Sequence, residues 1–361
     1  MSRLYVFFLA LLTCVAALPC TSAIVSGKYT ANGRPILWKH RDTSDLNNKV
    51  VKIESESGLD YVALFNQSDT LCEQAWIGFN ECGFAIMNTA SYNLKADTVK
   101  EKDKEGLVMA KALEVCRTVH DFEEFLKCEQ KPLGVEANFG VIDANGGAAY
   151  FETGNFNFKR LDVDSIVVRT NYSHTGRVDE GYGYVREASA ELLLKPFVAT
   201  RSLSPSVFTE ILSRSFYHSL MGEDFSLCGL EYIVDRDFIP RRISSASVAI
   251  EGVTHSDDSQ MTTMWTVLGY PPCGVVRPVW IFEGGIPSEV VSIGGELAPD
   301  VEKANELKEK VFDVIRDNGN NYLRVGKLFR FDGTGISQVN NRKSIDNYKL
   351  GYEFLTKKFG K

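Results

Sequence analysis

Long apolar runs are scarce in this 361-residue chain. After residue 18 no stretch reaches membrane-spanning length, which argues against a transmembrane helix in the body of the protein. Histidine is scarce as well. His40, His120, His174, His218 and His255 form no His-x-x-x-His or His-Glu-x-x-His pair, so no zinc helix is expected. His255-Ser256-Asp257-Asp258 reads as a solvated turn. Residues 143–147 lack the later ligand positions of a calcium loop. No metal or cofactor is therefore expected. There is no Cys-Gly-Ser-Cys-Trp-like signature, which excludes a papain-like protease. There is no long basic run, and the formal charge is −7, so nucleic acid is not an expected partner. Internal repeats, low-complexity blocks and Pro/Gly/Ser linkers are absent too. With 44% apolar and 24% charged residues, the composition is that of an ordinary globular domain.

What is present begins at the N-terminus. Arg3 precedes a short apolar stretch over residues 4–18, and Val15-Ala16-Ala17 fits a small-residue cleavage site. Residues 1–19 thus read as a signal peptide and short propeptide, and residues 20–361 as one domain. The mature chain is expected to be exported, secreted or periplasmic, without stable membrane association. Lipid on Cys14 or Cys20 is the alternative, but Thr13 and Pro19 are poor residues ahead of a lipidated cysteine. Cys14 leaves with the signal. If Cys20 is a free nucleophile, six cysteines remain, an even number compatible with disulfides outside the cytoplasm. Cys116 and Cys128, flanking one short helical segment, are a candidate pair.

Patterning predicts strands over 21–27, 35–40, 49–54, 61–65, 75–79, 84–88, 137–142, 148–152, 156–161, 165–170, 244–251 and 260–268, with an extended edge at 276–282. Helices are predicted over 105–116, 119–126, 184–194, 204–219, 299–316 and 345–357. Many antiparallel strands interrupted by helix pairs indicate an α+β domain with layered sheets.

The chemistry starts at Cys20. Freed as a first residue, it carries its own base: an α-amine has a pKa of about 7.7–8.0 and a free thiol one of about 8.5. Proton transfer between such matched groups costs little at neutral pH. No distant histidine is needed. Asp42 ends the return strand of the first hairpin, where a carboxylate can reach and orient that amine.

These residues carry a resemblance. Cys20-Thr21-Ser22 at the mature start resembles that of the N-terminal-nucleophile amidases: choloylglycine hydrolases, penicillin V acylases, acid-ceramidase-like enzymes and isopenicillin N acyltransferases. Lys39-His40-Arg41-Asp42 is similar to their Arg-Asn-x-Asp segment. Gly78-Phe79-Asn80-Glu81-Cys82-Gly83, followed by Asn88, is similar to their Gly-x-Asn-Glu-x-Gly hairpin and its downstream asparagine. Arg169-Thr170-Asn171-Tyr172 is similar to their Arg-Thr-Asn element. Thr263-Met264-Trp265, through Gly269, Pro271, Pro272 and Cys273 to Gly274, resembles the acyltransferase branch.

The resemblance implies a four-layer αββα sandwich of two antiparallel sheets between helix layers. It implies Cys20 as nucleophile and base, Asp42 as the residue that orients the amine, and Asn88 and Asn171 as the oxyanion-hole pair. Lys39 stands where many of these hydrolases have arginine, and Arg242 or its neighbour Arg241 where a second one lies. Trp38, Tyr92, Tyr172 and Trp265 sit near the matched segments and are candidates for an apolar acyl pocket, with Trp38, Lys39, Tyr172 and Arg242 as substrate-binding residues. Asn171-Tyr172-Ser173 and Asn66-Gln67-Ser68 match the glycosylation pattern and read as chance matches. The expected activity is hydrolysis of a small-molecule N-acyl amide at a linear, non-peptide C–N bond. Acyl transfer to an amine on the same machinery is the rival, and an exported non-catalytic binding protein is the rival of another class. Homo-oligomers are left open.

Overall fold

The computed structural model describes residues 20–94, 97–316 and 318–360. The signal and propeptide reading of residues 1–19 therefore lies outside the described residues.

The first hairpin forms as patterned. Strand β1 (Thr21–Val25) pairs antiparallel with β2 (Ile36–Asp42), with Thr21 opposite His40 and Val25 opposite Ile36. Gly33, at φ +78°, makes the turn that an L side chain would resist. β1 also pairs with β10 (Ile166–Arg169), and β2 with β14 (Ser244–Glu251). β15 (Thr263–Leu268) and β16 (Arg277–Val279) complete a six-stranded antiparallel sheet, ordered β10-β1-β2-β14-β15-β16.

The second sheet is a seven-stranded meander of chain neighbours: β3 (Asn48–Ile53), β4 (Tyr61–Asn66), β5 (Ile77–Asn80), β6 (Ala85–Ala90), β7 (Ala137–Ile142), β8 (Ala148–Thr153) and β9 (Phe158–Asp162). Two ribbons, β11 (Tyr217–His218) with β12 (Glu223–Asp224) and β13 (Ile233–Val234) with β17 (Tyr322–Leu323), lie outside both sheets.

Three apolar layers hold this stack together. Alternate residues of the two sheets, among them Ile24, Leu37, Val62, Met87, Val248 and Met264, meet between them. The outer face of the meander packs on α1 (Glu105–Val115) and α2 (Val119–Cys128). Phe122 of α2 sits there among Phe84, Phe125, Phe139 and Phe151. A Thr118–Asp121 capping box starts α2, satisfying end N–H groups reciprocally. The outer face of the first sheet packs on α3 (Tyr184–Thr200) and α6 (Ile336–Phe359). This is the expected α+β sandwich of two antiparallel sheets between helices. α4 (Pro299–Val311) and the short α5 (Val325–Leu328) build a further cluster with Tyr270 and Phe312 at one end.

Two expectations are corrected. Residues 204–219 are not one α-helix: a wide turn over Val207–Ile211 runs into a tight one over Leu212–Arg214, and then into β11. Buried hydroxyls account for it. Ser213 Oγ donates to the Phe208 carbonyl at 2.8 Å, competing for the backbone, and Thr209 Oγ1 is held by the Tyr348 hydroxyl at 2.7 Å. The candidate Cys116–Cys128 disulfide is absent, and the seven described cysteines are all free. Cys116 precedes α2 and Cys128 ends it. The helix between them spans about 15 Å, whereas a disulfide needs Cα atoms within about 7 Å.

Candidate active site

Strand alternation places the site. On β1, Ser22 and Ile24 face the meander: Ser22 Oγ meets the Tyr150 hydroxyl of β8 at 3.1 Å, and Ile24 joins the core between the sheets. Thr21, Ala23 and Val25 face α3. Cys20 continues the first row at the open end of the strand, opposite Arg41 by register. It is 7% exposed, and its thiol donates to the Asp42 carbonyl at 3.6 Å.

β2 repeats the alternation. Leu37, Lys39 and Arg41 point between the sheets, while Trp38 and His40 point toward the helices. Lys39 Nζ donates to Asn88 Oδ1 at 2.6 Å and to the Trp76 carbonyl at 2.9 Å. The Arg41 guanidinium lies 4.6 Å from the Trp76 ring centre and donates to Asn48 Oδ1 at 2.6 Å. Burial lowers the Lys39 pKa to about 7 and that of Arg41 to about 10, and Cys20 is an electrostatic neighbour of both. Two cations thus flank the thiol on its own face.

The Asp42 carboxylate turns the other way. Its Oδ2 accepts from Arg241 and its Oδ1 from Ser244 Oγ at 2.5 Å. Ser244 Oγ also accepts the Arg241 N–H at 2.8 Å. With its single proton given to Asp42, that hydroxyl can only accept from His40 Nε2 at 2.9 Å, so His40 carries its proton on Nε2. Burial pushes the His40 pKa down to about 4, which keeps the ring neutral.

Arg186 joins the pieces. From the first turn of α3, Nη1 donates to the Cys20 carbonyl at 2.5 Å and to Thr21 Oγ1 at 2.7 Å, while Nη2 donates to Asn171 Oδ1 at 2.9 Å. Asn171 Nδ2 donates to the carbonyl of Ala90, two residues beyond Asn88 on β6. Asn171 is fully buried, which leaves no room for a sugar.

The structure therefore brings the Cys20 thiol against the Asp42 backbone, links Asn171 to Cys20 through Arg186, and ties Asn88 to Lys39. Tyr172 borders the group, stacked on Tyr184 at 4.1 Å and on His174 at 5.3 Å. Trp38 is not brought in: it lies on the opposite face of β2, against Phe208 at 5.4 Å and Ser247 Oγ at 3.0 Å. Nor is Arg242, which donates to Asn321 Oδ1 at 3.2 Å. Its neighbour Arg241 reaches Asp42 instead. Among the described residues no group of three metal-ligating side chains occurs, and no helix is long and apolar enough to cross a membrane.

No protein-family model and no curated protein matches this chain. It is similar to solved structures at 11% identity. A mutant conjugated bile acid hydrolase from Clostridium perfringens aligns over 73% of this chain and 92% of its own, with a TM-score of 0.46. A Caenorhabditis elegans N-acylethanolamine-hydrolyzing acid amidase ortholog aligns over 64% and 92%, with a TM-score of 0.40. Penicillin V acylase from Agrobacterium tumefaciens aligns over 76% and 89%, with a TM-score of 0.42. These likenesses are distant.

Sequence patterning missed Arg186. Its signal is a charged residue on the buried stripe of α3, where Arg186, Ala190 and Leu194 recur at helical spacing. Lysine there cannot serve three acceptors with a planar fork. Arg186→Lys is expected to leave at least one buried acceptor without a donor and to cost about 1–3 kcal/mol in urea unfolding.

Lys39 gives a pH signature. Its folded pKa, about 7, lies below the unfolded 10.5. Between these values the unfolded chain holds the extra proton, so this group makes stability rise with pH. Lys39→Met removes that slope. Its stability relative to wild type should fall between pH 6 and pH 9, read from urea midpoints.

Proposed function

We propose that this protein is an N-terminal-nucleophile amide hydrolase that cleaves the linear C–N bond of a small N-acyl amide through Cys20. The observation that carries the reading is the convergence on one strand end. Cys20 opens β1, its thiol touches the Asp42 carbonyl, and Arg186 binds its own carbonyl to Asn171. The same reading has the chain exported, residues 1–19 removed, and Cys20 exposed as the first residue.

In the proposed mechanism the α-amine of Cys20 takes the thiol proton and Sγ attacks the substrate carbonyl. Asn88 and Asn171 supply the oxyanion donors, one a backbone N–H and the other a side-chain amide. Each such donor is worth about 2.7–4 kcal/mol in the transition state. The C–N bond breaks, the amine leaves with the proton, and an acyl thioester remains on Sγ. Water, activated by the same α-amine, then hydrolyses the thioester and restores the thiol. Asp42, held by Arg241 and Ser244, is the anchored carboxylate that orients the amine. Lys39 and Arg41 place positive charge beside the sulfur, which favours thiolate.

The test is chemical. Processed protein quenched in acid during turnover of an N-acyl amide should gain the mass of one acyl group on the peptide beginning with Cys20. Hydroxylamine should release it. An active protein whose acyl group, trapped under these conditions, lies on another residue would contradict the assignment.

A further inference from the structure

A second set of buried polar groups lies beside α4 and the β13–β17 ribbon, within electrostatic range of Asp42. Asp235 directly follows β13. Its Oδ2 accepts the Arg242 N–H at 2.7 Å, while its buried Oδ1 has no hydrogen-bond partner among the described residues. Tyr270 is fully buried, and its hydroxyl likewise has no partner there. The Tyr270 ring meets Phe312 edge-on at 5.4 Å. Lys308 Nζ, from α4, lies 5.9 Å from the Tyr270 ring centre, and the Arg242 guanidinium lies 5.8 Å from that of Phe312.

Two cations thus bracket one aromatic pair. Lys308 is only 6% exposed, and neither it nor Arg242 forms an ion pair among the described residues. A buried ammonium with no carboxylate at ion-pair distance is costly, and Asp235 and Glu309 act on Lys308 only from farther off. Burial and then the charge of Arg242 lower the Lys308 pKa to about 8. Burial raises the Asp235 pKa to about 7, so near neutrality its carboxyl is also available as a donor. Ammonium, guanidinium, phenol and carboxylic acid are a donor set suited to several oxygens sharing negative charge. Arg242 is half-buried and faces the loop that carries Asn321.

We propose that Lys308, Arg242 and Tyr270 form a binding site for a small oxyanion, a carboxylate or a phosphate, on residues the amidase mechanism does not use. The site does not depend on the proposed amidase reading.

The test is calorimetric titration of the full protein with sodium phosphate and, separately, sodium acetate, at constant ionic strength. One of the two should bind saturably at one site per chain, and the arm that binds identifies the ligand class. Lys308→Met should weaken that binding about 10- to 100-fold, and Tyr270→Phe about 5- to 10-fold. Tyr270→Phe removes a hydroxyl that has no protein partner, so the unliganded variant should be at least as stable as wild type. It decides the matter if Lys308→Met does not fold. Wild type that binds neither anion, or a Tyr270→Phe variant that binds like wild type, would overturn the site.

Discussion

Replacing Cys20 with alanine should abolish amide hydrolysis, with a fall of about 10⁴-fold or more in kcat/KM. In the proposed mechanism the thiol forms the acyl bond, and water on the same scaffold retains only what binding and the oxyanion donors give. Stability should barely move, because the thiol makes one long contact, 3.6 Å to the Asp42 carbonyl. Urea midpoints that match wild type, with activity gone, are the expected pair of results. A second readout follows if maturation is autocatalytic. There Cys20 Sγ attacks the Pro19 carbonyl, the peptide shifts from nitrogen to sulfur, and water releases the preceding segment. Cys20→Ala should then keep Leu18 and Pro19, seen by mass analysis. A variant retaining a tenth of wild-type activity would rule out Cys20 as the nucleophile.

Asp42→Asn should be nearly as damaging, by another route. The carboxylate is fully buried and receives Arg241 on one oxygen and Ser244 on the other. An amide that keeps its oxygen toward Ser244 points its NH₂ at the guanidinium, donor against donor. Breaking a buried ion pair from one side costs about 3–5 kcal/mol. Denaturant unfolding should show that loss, and kcat should fall because nothing orients the amine. Arg241→Met alone should cost a comparable amount of stability. The double variant Asp42→Asn/Arg241→Met should be clearly less destabilised than the sum of the two singles, the mark of a coupled pair. Additive losses would show that Arg241 does not hold Asp42.

Much of this fold was legible because strand alternation survives wherever one face is buried. The strands of the β3 to β9 meander and the β1–β2 hairpin, with the row that delivers Cys20, Lys39 and Arg41 to one face, follow from residue order alone. Three features resisted for physical reasons. The first half of α6 buries Ser337, Asn340 and Ser344; Asn340 and Ser344 bond the backbone of the β15–β16 connection and Ser337 accepts from Arg214, so no apolar period marks it. The 207–214 segment is bent by hydroxyls that a helical period does not register. Arg186 and Arg241 are charges used in the interior, where composition places apolar residues, and choosing Arg241 over Arg242 required knowing which of two adjacent side chains points at Asp42. Disulfide pairing was out of reach for a related reason: spacing along the chain says nothing about distance once a helix lies between two cysteines.

The most direct measurement is the sequence of the N-terminus of purified, active enzyme. Cleavage cycles should begin at Cys20 and continue Thr21-Ser22, with the α-amine reactive toward an aldehyde that closes a thiazolidine on a terminal cysteine. Full activity in protein whose Cys20 nitrogen is still joined to Pro19 would contradict the account, because the base assigned to the thiol would then be an amide.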